Sequence, residues 1–111
     1  MLAQGTFRTI AWNTLGTAAI VREASGDLKL RLSSTFVTKN APELFIYLVK
    51  YDGQKRTLWK DVGPLKRPQG GQEYDLADDV ARIPGLSVAI YCAECNRIDA
   101  LARLAPARGT S

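Results

Sequence analysis

The sequence predicts an all-β chain, a single antiparallel β-sandwich or flattened barrel of about seven to eight short strands. Three observations carry this expectation. Asp27-Leu28-Lys29-Leu30-Arg31-Leu32-Ser33 alternates polar and apolar residues without a fault, which is the period of a half-buried strand. Short apolar runs recur between turns that contain Gly or Pro, and before residue 96 no helical period extends beyond about two turns.

Taken in order, residues 5–10 supply a first short strand, and Gly16-Thr17-Ala18-Ala19-Ile20-Val21-Arg22 a second, favoured by its β-branched residues. The turn signal Ser25-Gly26-Asp27 joins this second strand to the alternating leucine strand as an antiparallel hairpin. Asn40-Ala41-Pro42 breaks the chain. Leu44-Phe45-Ile46-Tyr47-Leu48-Val49 is apolar at every position, so it belongs in the middle of a sheet with both faces covered. After the Asp52-Gly53 turn, residues 54–65 alternate in charge around Trp59, the pattern of a solvent-facing or edge strand that Gly63-Pro64 ends. Pro68, Gly70 and Gly71 mark an irregular stretch before the short strand Gln72-Glu73-Tyr74-Asp75-Leu76, and Pro84-Gly85 marks another turn.

In Leu86-Ser87-Val88-Ala89-Ile90-Tyr91-Cys92, period two places Leu86, Val88, Ile90 and Cys92 on one face and Ser87, Ala89 and Tyr91 on the other. Cys92 is therefore expected to point at the core. The segment after it fits two patterns. A helix would gather Ile98, Leu101, Ala102 and Ala105, with Asn96 as cap and Asp99 three residues on, whereas a strand would gather Ile98, Ala100, Ala102 and Leu104. Residues 1–106 make the expected domain and 107–111 a flexible tail.

A chain of 111 residues with 46% hydrophobic and 23% charged residues has room for one core and enough apolar surface to form it. The net charge of +4 is a mild attraction for anionic polymers and carries no information about fold. No apolar run approaches the roughly 20 residues of a spanning helix, so no transmembrane segment is expected. The first residues lack the apolar region of a secretory signal peptide, so any export signal would lie outside this sequence. Histidine is absent, which removes the commonest general base, metal ligand and haem ligand together.

The chemically distinctive feature is Cys92-Ala93-Glu94-Cys95, a spacing shared by dithiol oxidoreductases and zinc knuckles. If the strand simply continues, the two residues lie about 10 Å apart, beyond the ~7 Å reach of a disulfide. If the chain turns into a helix after Cys92, the sulfurs approach and the thiol is activated. Cys92 is thus the candidate redox thiol and Cys95 its possible partner, against the plainer alternative that Cys92 is only a small buried apolar residue. No metal site is expected, since two thiolates fill half a tetrahedron, and a prosthetic group such as haem on Cys92 is left open. Two other clusters of charged residues stand out. Lys50, Lys55, Arg56, Lys60, Lys66 and Arg67, with Tyr51 and Trp59 among them, have the composition of a single-strand nucleic-acid surface or of a charged edge strand. Asp75, Asp78 and Asp79 form a small acidic loop without the spacing of a calcium loop, and it is read as an ordinary turn.

The order of segments resembles the DM-thirteen domain family. The blocks that carry this are Gly5-Thr6-Phe7 with Leu15-Gly16-Thr17-Ala18, then Ala41-Pro42-Glu43-Leu44-Phe45-Ile46-Tyr47-Leu48, then Val62-Gly63-Pro64-Leu65-Lys66 with Gly71-Gln72-Glu73-Tyr74-Asp75-Leu76, then Val88-Ala89-Ile90-Tyr91-Cys92, and last Ala102 with Leu104. They span nearly the whole chain. Ala41, Ala77 and Tyr91 stand where the family has Gly, Pro and Trp, and Cys95 and Asp99 stand where it tends to have aromatic residues. The resemblance implies a small extracytoplasmic β-domain, secreted or membrane-tethered, often beside a DOMON-type domain. It also implies an electron-transfer role built on the cysteine at position 92, with a redox partner protein, and a strand for residues 96–104. The competing function is a non-enzymatic extracellular binding module in which Cys92 only packs. In an oxidising compartment the extra thiol, Cys95, would tend to pair with Cys92 if the geometry allows it.

Overall fold

The computed structural model describes residues 2–39 and 43–106. The Asn40-Ala41-Pro42 break and the expected tail at 107–111 lie outside these residues. The strands are β1 (Ala3–Thr9), β2 (Thr17–Arg22), β3 (Leu28–Leu32), β4 (Leu44–Asp52), β5 (Lys55–Pro64), β6 (Gln72–Leu76), β7 (Leu86–Cys92), β8 (Arg97–Arg103) and the two-residue β9 (Ala105–Pro106). A short 3₁₀ helix, Asp78–Arg82, precedes β7. Every pairing is antiparallel, and the strands run in the order β5-β4-β7-β8-β1-β2-β3-β6, with β9 against β1. The sheet curls on itself into a half-barrel, the flattened-barrel form of the expected sandwich.

Strand β1 is the crease between the two halves. Residues 3–6 pair with β2, whereas residues 7–9 pair with β8. Such a crossing brings backbones close, and Gly5 makes it possible: a Cβ at this position would lie 2.1 Å from the carbonyl oxygen of Arg103. The space enclosed by the curl is filled by Phe7, Ile20, Leu30, Leu32 and Phe36 from one half, and by Ile46, Leu48, Val88, Ile90 and Cys92 from the other. The alternation of β3 holds as expected, with Leu28, Leu30 and Leu32 all buried and Arg31 exposed.

Strand β4 lies between β5 and β7, and its outer side is covered without a second protein layer. Trp59 stacks on Tyr47 with ring centroids 4.2 Å apart, and Tyr91 meets both edge-on. Together with their strands these rings leave Val49 and Ala89 with no exposure. Strands β5 and β6 end the two sides of the strand order, which agrees with the edge reading of residues 54–65. The loop between them is pinned to β6, because the Lys66 N–H donates to the Tyr74 hydroxyl at 2.8 Å and that hydroxyl donates to Gln72 Oε1 at 2.5 Å.

Residues 97–103 form a strand, which decides between the two patterns of the sequence, but its facing differs from the simple strand pattern. Tyr91 pairs with Ile98 and Ile90 with Ala100, so Asp99 is an extra residue in a β-bulge. Past it Ala100, Ala102 and Leu104 face the core, whereas Ile98 joins the outer face beside Tyr91. Among the described residues no helix is long and apolar enough to cross a membrane.

Candidate functional site

Cys92 closes β7 on the core side, 2% exposed, next to Leu44 of β4 in the pairing register. The chain then neither continues as strand nor enters a helix. Residues 93–96 make the turn of a β-hairpin, with Cys92 paired to Arg97. The turn is closed by Asn96 N–H donating to Ala93 O at 3.3 Å, and the Ala93 N–H is tied to Glu43 O at 2.9 Å. Asn96 holds the left-handed conformation, φ 54°, that Asn tolerates better than most residues, and its Oδ1 accepts the Tyr91 hydroxyl at 2.6 Å.

This geometry brings the Cα atoms of Cys92 and Cys95 to 5.2 Å and joins their sulfurs in a disulfide, leaving no free cysteine. The two sulfurs differ in their surroundings. Cys92 is sealed in the core while Cys95 is exposed, and the Cys95 N–H donates to Cys92 Sγ at 3.1 Å. An attacking group from solvent therefore meets Cys95 first, and the buried sulfur already has a backbone donor.

Two residues that the sequence does not connect with the cysteines adjoin the bond. Asp99, at the bulge, has no exposure at all, and Lys39 is only 12% exposed along its side chain. The Lys39 ammonium lies 3.1 Å from Asp99 Oδ2 and also donates to Cys95 Sγ at 3.4 Å. The contact with Oδ2 is one of charge, and that oxygen has no hydrogen-bond donor among the described residues. Asp99 Oδ1 receives Arg97 Nε at 3.3 Å. The Lys39 ammonium also sits 5.3 Å from the centre of the Trp12 ring. Trp12 is held there through backbone: the N–H groups of Ile10, Ala11 and Trp12 all donate to the carbonyl oxygen of Asp99, at 2.9, 2.9 and 3.2 Å. The bulge thus aims a carboxylate inward and fixes the neighbouring loop. One signal was available in the sequence, the lone acidic residue within the otherwise apolar Ile98-to-Ala102 run; nothing marked Lys39.

The other clusters are placed elsewhere. Of the basic segment, Arg56 stacks over Trp59 at 4.1 Å, Lys66 Nζ donates to Glu73 O at 2.6 Å and Arg67 donates to Gly71 O. Trp59 is itself packed against Tyr47 and Tyr91, so these groups are engaged within the chain. Two carboxylates of the acidic loop are likewise paired, Asp75 with Lys29 and Asp78 with Arg22 at 2.9 Å. Among the described residues no group of three or more His, Cys, Asp or Glu is arranged to hold a metal ion.

No family model matches the chain, and neither curated proteins nor solved structures give a match.

Proposed function

We propose that this chain is a thiol–disulfide redox domain of an extracytoplasmic protein, in which Cys95 exchanges with a partner and Cys92 resolves the exchange. The observation that carries this reading is the asymmetry of the pair: Cys95 is an exposed residue, whereas Cys92 is buried and its sulfur already hydrogen-bonded by backbone. A purely structural disulfide gains from having both sulfurs out of reach, whereas exchange needs one reachable sulfur and a stabilised leaving group. A disulfide is also the form such a pair takes in an oxidising compartment, which supports a secreted or membrane-tethered setting. The resemblance to the DM-thirteen family points the same way, and with it a redox partner protein or a DOMON-type neighbour. The centre proposed here differs from the single-cysteine picture of that family, because the second thiol takes part.

The test is equilibration of the protein in glutathione buffers of graded potential, read by free-thiol count. Reversible interconversion between zero and two thiols, with Cys95 alkylated well before Cys92 in the reduced protein, is the expected result. The alternative is a binding module in which the bond only staples the hairpin, favoured by the seating of Cys92 in the core. That reading predicts a bond refractory to glutathione until the protein unfolds, an outcome that would sink the redox proposal. The visible absorption spectrum of the purified protein tests separately for a prosthetic group.

A further inference from the structure

Resting on that reading of the disulfide, we infer that Lys39 is the group that stabilises the Cys95 thiolate, and that the buried carboxylate of Asp99 positions Lys39 and tempers its charge. A lysine this enclosed needs a reason, since burying an ammonium is costly unless it is paired. Asp99 is its partner at 3.1 Å, yet the same ammonium reaches the exposed sulfur at 3.4 Å. The ion pair is incomplete in a telling way: Oδ2 of a fully buried carboxylate has no hydrogen-bond donor, so the ammonium is shared between carboxylate and sulfur.

A thiolate of a partner dithiol attacks Cys95 Sγ, a mixed disulfide forms, the Cys92–Cys95 bond breaks, and Cys92 leaves as a thiolate held by the Cys95 N–H and takes a proton. The partner's second thiolate then attacks the partner sulfur of the mixed disulfide, releasing Cys95 as a thiolate beside Lys39. The partner ends as a disulfide and this chain as a Cys92 thiol and a Cys95 thiolate, two electrons having crossed; of the two protons the partner's thiols give up, one is taken at Cys92 and the other goes to solvent. In the reverse direction the Cys95 thiolate is the nucleophile, and the ammonium keeps it deprotonated. Lys39 touches the reacting sulfur and is a catalytic residue in that sense; Asp99 is a positioning residue. The other charged side chains on the elements around the turn are Arg97, bonded to Asp99 Oδ1, Glu94 within the turn, and Glu43, whose carbonyl oxygen holds the Ala93 N–H.

The experiment is a pH titration of the thiolate in the reduced protein, by ultraviolet absorbance and by the pH dependence of alkylation, for the parent chain and three variants. Lys39→Gln raises the Cys95 thiol pKa by about one unit or more, because an opposite charge within 4–6 Å is lost. Asp99→Asn moves it the other way, because the lysine's charge is no longer balanced, and Lys39→Arg leaves it near the parent value. Opposite signs from the two neutralising changes are not expected from general loosening of the turn. If either of these variants fails to fold, the remaining one with Lys39→Arg still decides. A Cys95 pKa unmoved by Asp99→Asn and Lys39→Gln would overturn the inference even if the disulfide equilibrates normally with glutathione. Failure of that equilibration in the parent chain would instead overturn the redox reading on which it rests.

Discussion

Gly5 and Asp99 show how much of this fold hangs on single residues. At Gly5 the absent side chain is a requirement of packing: the Arg103 carbonyl occupies its place at 2.1 Å, and backbone on both sides cannot yield. Gly5→Ala is expected to destabilise by roughly 3 kcal/mol, the upper range for overpacking, and chemical denaturation of the variant measures it. A loss under about 0.5 kcal/mol would mean that β1 and β8 do not approach as described. Asp99 explains why part of the site escaped the sequence. A bulge inserts one residue, and one residue inverts the facing of everything beyond it, so the strand pattern that grouped Ile98 with Ala100 could not be right on both sides of the insertion. The sequence does expose Asp99 as a misfit among apolar neighbours. Lys39 has no such mark, because its meaning comes from a carboxylate 60 positions away that only the folded sheet brings near.

At the level of elements, legibility followed local regularity. β3 and β4 were readable because the first alternates and the second opens on six apolar residues without interruption, and β5 because charge on an edge strand is a local property. The turn after Cys92 was not readable, since a four-residue hairpin loop depends on the return strand that pairs with β7. The disulfide sits within that hairpin and closes a very short loop. By the loop-entropy relation such a bond stabilises by only about 2 kcal/mol, so the Cys92→Ala/Cys95→Ala variant is expected to keep the fold and lose about that much. Circular dichroism with a denaturation curve checks it. Complete unfolding of the variant would show that the bond is the hairpin's main support, and would favour the stapling role over exchange.

For the molecule as a whole, stability should be flat near neutrality and fall at both ends of the pH scale. The hydrogen bond from Lys29, and then its charge, hold Asp75 below the ordinary carboxyl value of 3.8, and Arg22 does the same for Asp78. Groups lowered by folding contribute above their unfolded values and lose that contribution as pH drops through the folded ones, so the acid limb lies below about pH 4. On the alkaline side Lys29 is raised above 10.5 by its hydrogen bond to Asp75, and Tyr74 above 10.0 by burial. Contributions of raised groups are complete below the unfolded values and vanish as pH climbs through the folded ones, so this limb opens near pH 10. Tyr74→Phe should cost about 1–3 kcal/mol at neutral pH, through the orphaned Lys66 N–H and the loss of one of the two donors to Gln72 Oε1, and should also flatten the onset of the alkaline limb. Denaturation midpoints across pH measure both effects. Because the acid-side pairs are exposed, high salt should shrink that limb, and a limb insensitive to salt would point to other carboxylates.

One consequence of the β1–β9 pairing reaches past the domain itself. Ala3 lies opposite Pro106 and Gln4 opposite Ala105, so the polypeptide enters and departs side by side, at the end of β8 remote from the cysteine turn. Whatever is fused ahead of β1 and behind β9 would share a single attachment corner. The unit can thus be spliced into a larger protein like a pendant on a doubled cord, its sulfur bridge hanging clear of the carrier.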